Sequence, residues 1–115
     1  MVADGMGGRD FGEVASSLCV STLNTSFKKY FPETLRGRRL AGDPIVPTAI
    51  RQMLDLWIRD MNIVVHDFGT LDHRYREMGT TLALLFHQED FVAIAHVGDS
   101  RVYRVRDHDL EHLTA

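Results

Sequence analysis

Two apolar runs constrain this chain more than any other feature. Leu82-Ala83-Leu84-Leu85-Phe86 and Phe91-Val92-Ala93-Ile94-Ala95 are separated only by the polar stretch His87-Gln88-Glu89-Asp90. Apolar runs this short and continuous read as strands, and the brief polar connection makes them an antiparallel hairpin over Thr80–Phe86 and Phe91–Val97. An antiparallel sheet normally leaves one face to water, so continuous runs demand a covering layer on each side. One layer is present in the chain. A first helix carries Phe11, Val14, Ala15, Leu18, Cys19 and Thr22 at the spacing of a single face. Asp10 reads as its cap, Glu13 as the reciprocal partner, and Pro32 as its stop near Tyr30. Residues 31–47 hold all three prolines and read as a connecting loop. A second helix is expected from Thr48 to Phe68, with the stripe Ile50, Met53, Leu54, Trp57, Ile58, Met61, Val64, Val65 and Phe68. It would span about 30 Å, with Gly69 as terminator. The second covering layer has no source in these 115 residues. The bare face is therefore expected to favour association or aggregation.

Composition excludes several classes. A hydrophobic fraction of 44% rules out a disordered tail, and no run approaches the roughly 18 apolar residues of a membrane span. Thirteen basic against sixteen acidic side chains give a net charge of −3, which argues against nucleic acid as the partner. The basic cluster Arg36-Gly37-Arg38-Arg39 reads as a solvated loop. No secretory signal precedes Asp4, and the single Cys19 cannot close an intrachain disulfide, so a cytoplasmic setting is expected. Cys19 falls on the apolar helix face and reads as packing rather than as a nucleophile.

Val2-Ala3 reads as the end of a buried strand running into the turn Asp4-Gly5-Met6-Gly7-Gly8. A carboxylate at a strand end, with a glycine carbonyl beside it, suits a hard cation that prefers oxygen ligands. Asp99 occupies a comparable place in Gly98-Asp99-Ser100, the turn into a strand over Arg101–Arg106, with a short one following near Leu110–Leu113. Both aspartates also suit turns with no ligand at all. A nucleotide loop fits poorly, because Gly5-x-Gly7-x-x-Asp10 lacks the third glycine and no Gly-Lys-Ser/Thr occurs. His66, Asp67, Asp72 and His73 match no established zinc spacing, nor do His108 and His112 with their acidic neighbours; they read as surface residues.

Three segments together are more specific. Asp4-Gly5-Met6-Gly7-Gly8 with Gly12-Glu13-Val14-Ala15-Ser16, then Met78-Gly79-Thr80-Thr81, then Gly98-Asp99-Ser100-Arg101 stand in the order and spacing of the PPM (type 2C) metal-dependent protein phosphatases. The chain resembles an N-terminal fragment of the bacterial form. The resemblance implies an α+β fold, a four-layer α-β-β-α sandwich, of which 1–115 holds about half: two antiparallel helices on one antiparallel sheet. It implies hydrolysis of phosphoserine and phosphothreonine in proteins, by water activated between two Mn²⁺ or Mg²⁺ ions and with no phosphoenzyme. Asp4 would bridge the two metals and Gly5 would offer its carbonyl. Asp99 would serve a third, weaker metal, and Met78–Thr81 would begin the strand beneath the site. The implied partner is a phosphoprotein, the substrate of a serine/threonine kinase, with neither nucleic acid nor membrane.

The family's phosphate-binding arginine and a further acidic residue precede its Asp-Gly motif, and two more ligand aspartates follow later; none falls within this chain. Met6 also replaces a histidine found in many eukaryotic members. A weakly active or inactive piece is therefore expected of the isolated chain. The alternative is a non-catalytic module of the same family that acts in binding or regulation.

Overall fold

The computed structural model describes residues 1–7, 11–42, 46–88 and 90–114. In chain order these form β1 (Gly5–Met6), α1 (Phe11–Thr25), α2 (Phe31–Ala41), α3 (Pro47–Thr70), β2 (Gly79–Thr80), β3 (Leu82–Gln88), β4 (Phe91–Val97), β5 (Tyr103–Arg106) and β6 (Asp109–His112). The apolar runs make the expected hairpin, with β3 and β4 antiparallel from Leu82 opposite Val97 to Gln88 opposite Phe91. Side chains alternate across a strand, so Leu82, Leu84 and Phe86 share a face with Phe91, Ala93 and Ala95. That face packs on the helices. Ala15, Cys19 and Leu23 of α1 meet Ile50, Leu54, Trp57, Met61 and Val65 of α3 in one cluster with Leu82 and Leu84. Phe27 sits edge-on to Trp57 at 5.2 Å and stacks on Phe86 at 5.5 Å, tying helix to sheet.

The opposite face carries Ala83, Leu85, Val92, Ile94 and His96. Leu85 is 55% exposed and Val92 50%, as the continuous apolar pattern anticipates for a sheet covered on one side. The molecule measures 48 × 41 × 18 Å, and its radius of gyration of 16.1 Å exceeds the roughly 13 Å of a compact chain this size. A thickness of 18 Å is one helix layer on one sheet layer.

Pro32 does not stop the first helix. The chain widens into a π turn over Ser26–Tyr30, where the Phe31 N–H donates to the Ser26 carbonyl five residues back. Pro32 then occupies the first turn of α2, where its missing N–H costs no hydrogen bond. The expected loop over 31–47 is thus mostly helical, with the arginine cluster on α2, which ends at Gly42 in the left-handed conformation (φ 75°). Gly69 likewise lies inside α3, which runs on to Thr70. The last two strands pair with each other rather than with β4. Asp107 and His108 take φ of 51° and 70°, as a two-residue hairpin turn requires. No helix among the described residues is long and apolar enough to cross a membrane.

After α3, the segment His73–Tyr75 turns the chain back toward the start of α1, and Tyr75 packs edge-on against Phe11 at 5.2 Å. Asp72 anchors this turn. Its carboxylate accepts from the Arg74 N–H at 2.9 Å and from Nε at 3.0 Å, with Nη2 at 2.8 Å. The hydrogen bonds from Arg74, side chain first and then backbone, lower the Asp72 pKa to about 2. A depressed carboxylate stabilises the fold above its unfolded pKa of about 4, and that contribution fades as pH falls toward about 2. Asp72→Asn should therefore flatten this acid limb of the thermal midpoint against pH, read by circular dichroism, and leave the curve's shape above pH 5 unchanged.

Candidate metal centre

The backbone around Asp4 is held from the β3 side. Val2 and Ala83 exchange both backbone hydrogen bonds at 2.8 Å. Two residues on, the Thr81 N–H donates to the Asp4 carbonyl at 2.9 Å, and the Asp4 N–H donates to Thr81 Oγ1 at 3.2 Å. The ladder continues as β1 on β2, with Gly5 opposite Thr80 and Met6 opposite Gly79. Asp4 is thus fixed by its main chain, while its residue surface stays exposed.

Glycine is required here by contact. A Cβ on Gly5 would overlap the Gly12 carbonyl oxygen, and one on Gly12 would stand 2.7 Å from the Gly5 carbonyl carbon. Gly7 has φ +143°, and a Cβ there would meet Met78 Cα at 2.7 Å. The strand end and the first turn of α1 therefore touch backbone to backbone. Gly8, Arg9 and Asp10 lie outside the described residues, and with them the expected Asp10–Glu13 cap.

Asp99 sits on an exposed turn after Gly98, whose φ is +85°. Its neighbour Ser100 shares a 2.6 Å hydrogen bond between Oγ and Thr81 Oγ1. The two segments expected to carry ligands are thus joined through Thr81, which is buried. Beyond Ser100, Arg101 Nη1 donates to the Tyr103 hydroxyl at 3.3 Å; that bond, and to a lesser degree the Asp99 charge, raises the guanidinium pKa.

The donors fit a hard cation: a carboxylate at Asp4, backbone oxygen at the adjoining turn and a carboxylate at Asp99, with neither carboxylate hydrogen-bonded or ion-paired among the described residues. No group of three His, Cys, Asp or Glu converges among those residues. The remaining candidates have local roles. His66 lies 3.5 Å from Asp67 and His73 3.7 Å from Asp72, while the His112 ring bonds Thr114 Oγ1 at 2.9 Å and His108 forms the β5–β6 turn. Cys19 is enclosed in the core, and burial raises its thiol pKa.

Residues 1–115 match the family model described as protein phosphatase 2C. The chain belongs to that family. It is 30% identical over its whole length to the protein phosphatase PhpP of Streptococcus pneumoniae, of which it covers 42%. It is 35% identical over 99% of its length to the serine/threonine phosphatase Stp of Listeria monocytogenes, covering 41% of that protein. Among solved structures, the catalytic domain of the serine/threonine phosphatase PstP in complex with two manganese ions superposes with a TM-score of 0.75 at 29% identity, over 97% of this chain and 42% of that one. The chain therefore spans less than half the length of these relatives, and its helices and antiparallel strand pairs are part of the α+β fold of PPM phosphatases.

Proposed function

We propose that residues 1–115 form part of a metal-dependent protein serine/threonine phosphatase domain and contribute the edge of its metal centre. The observation that carries this reading is the Asp4 carboxylate, unpaired among the described residues, beside a turn whose glycines let α1 approach the strand end. In the PstP relative, two manganese ions are bound. In this chain, Asp4 and the Gly5 carbonyl would hold a Mn²⁺ or Mg²⁺ pair, and Asp99 would serve a further, weaker ion. The metals would supply Lewis-acid charge for hydrolysis of a phosphoserine or phosphothreonine ester by water. The chain's own task is to hold the backbone that carries these donors: the bonds from the Thr81 N–H and to the Thr81 hydroxyl fix the Asp4 main chain from which the carboxylate projects. The substrate would be a phosphoprotein, the target of a serine/threonine kinase.

Mn²⁺ titration followed by electron paramagnetic resonance tests this. Asp4→Asn should weaken Mn²⁺ uptake at least about tenfold, equivalent to about 1.4 kcal/mol, without lowering the thermal midpoint of the metal-free chain. Equal uptake by both forms would overturn the assignment. With a phosphopeptide, little turnover is expected of the isolated 115 residues, because Asp4 as the one carboxylate on the metal pair leaves most of a dinuclear shell to water.

A further inference from the structure

Resting on the metal-centre reading above, we infer that Thr81 is the positioning residue that couples the Asp4 strand to the Asp99 turn, so that both carboxylates move as one unit. Three contacts converge on this single side chain. Its hydroxyl accepts from the Asp4 N–H at 3.2 Å and shares a 2.6 Å hydrogen bond with Ser100 Oγ. Its methyl group lies against Gly98 so closely that a Cβ there would stand 3.0 Å from Thr81 Cγ2. Asp99 is therefore held on both sides by one residue, at Gly98 before it and Ser100 after it.

The chemistry requires a hydroxyl at this position. A hydroxyl can accept from an amide and still take part in a second bond, which neither valine nor alanine can do. The methyl fills the space that Gly98 leaves open. Thr81 is only 4% exposed, so water cannot readily replace the lost partner. The Thr81 hydroxyl is hydrogen-bonded to both segments, to the Asp4 N–H on one side and to Ser100 Oγ on the other.

The test compares Thr81→Val, which keeps the shape and removes the hydroxyl, with Thr81→Ser, which keeps the hydroxyl. Mn²⁺ affinity by electron paramagnetic resonance and amide hydrogen exchange of the metal-free protein are both read. Thr81→Val should weaken Mn²⁺ binding at least about tenfold and speed exchange at the Asp4 amide by a similar factor, while Thr81→Ser restores both to within about threefold. Ser100→Ala should weaken Mn²⁺ binding yet leave Asp4 exchange unchanged, a split that general destabilisation would not produce. Wild-type affinity retained by Thr81→Val, or a loss that Thr81→Ser fails to rescue, would overturn the inference alone. A wild-type protein that takes up no Mn²⁺ would overturn the metal-centre reading, and this inference with it.

Discussion

Gly5→Ala is expected to remove most of the stability of the region that carries Asp4. The added methyl would overlap the Gly12 carbonyl oxygen, which is main chain and cannot swing aside as a side chain would. Either β1 parts from β2 or the first turn of α1 moves away, and the cost should be at least about 3 kcal/mol, the upper range of overpacking effects. A domain's whole stability is only about 5–15 kcal/mol, so a large fall in thermal midpoint is expected by circular dichroism. Mn²⁺ uptake should fall with it, because Asp4 is the residue before the displaced backbone. Gly37→Ala is the matched comparison. That glycine lies in α2, and a Cβ added to it would meet nothing within 4 Å, so alanine should stabilise by about 0.5–1 kcal/mol. An unchanged midpoint for Gly5→Ala would show that the strand and helix do not meet backbone to backbone.

Trp57→Ala should cost about 3–5 kcal/mol, read from the urea midpoint by far-ultraviolet circular dichroism. Trp57 is 9% exposed and receives Phe27 edge-on, and Phe27 in turn stacks on Phe86 of β3. Its loss would leave a cavity between α3 and the Phe27 ring that links it to the sheet. The preceding residue provides the contrast. Leu56 is 57% exposed, and Leu56→Ala should stay within about 0.5 kcal/mol. Equal costs at both positions would mean that α3 does not present the face described.

The hairpin and the helix faces were legible because burial imposes a period on the sequence. Leu82–Phe86 and Phe91–Ala95 had to be strands, and Ile50, Leu54, Trp57, Met61 and Val65 had to share one side of a helix. The bare outer face was legible for the same reason: Leu85 and Val92 belong to the same continuous apolar runs, and both are half exposed. Pro32 misled, because a proline is a stop only while the helix keeps its normal winding; the π turn over Ser26–Tyr30 absorbs the mismatch and lets the proline start α2. Gly69 misled more mildly, since a glycine can sit within the last turn of a helix as well as beyond it.

At the candidate site, Asp4, Gly5 and Asp99 could be chosen from residue type and motif, because oxygen ligands and tight turns both leave marks in sequence. The Gly12 contact and the three-way role of Thr81 left weaker marks: a glycine near a helix start and a threonine entering a strand each have many ordinary uses. What the sequence determined by itself is the central hairpin, the two long helices with the apolar face each buries and the chemical type of the candidate ligands, since these follow from periodicity and side-chain chemistry. Tertiary structure alone decided that Gly5 rests on Gly12 and that Thr81, some 77 residues from Asp4, bonds to it while holding the Asp99 turn. Such contacts depend on where separate segments meet in space, and no local pattern encodes a distance between residues so far apart in the chain.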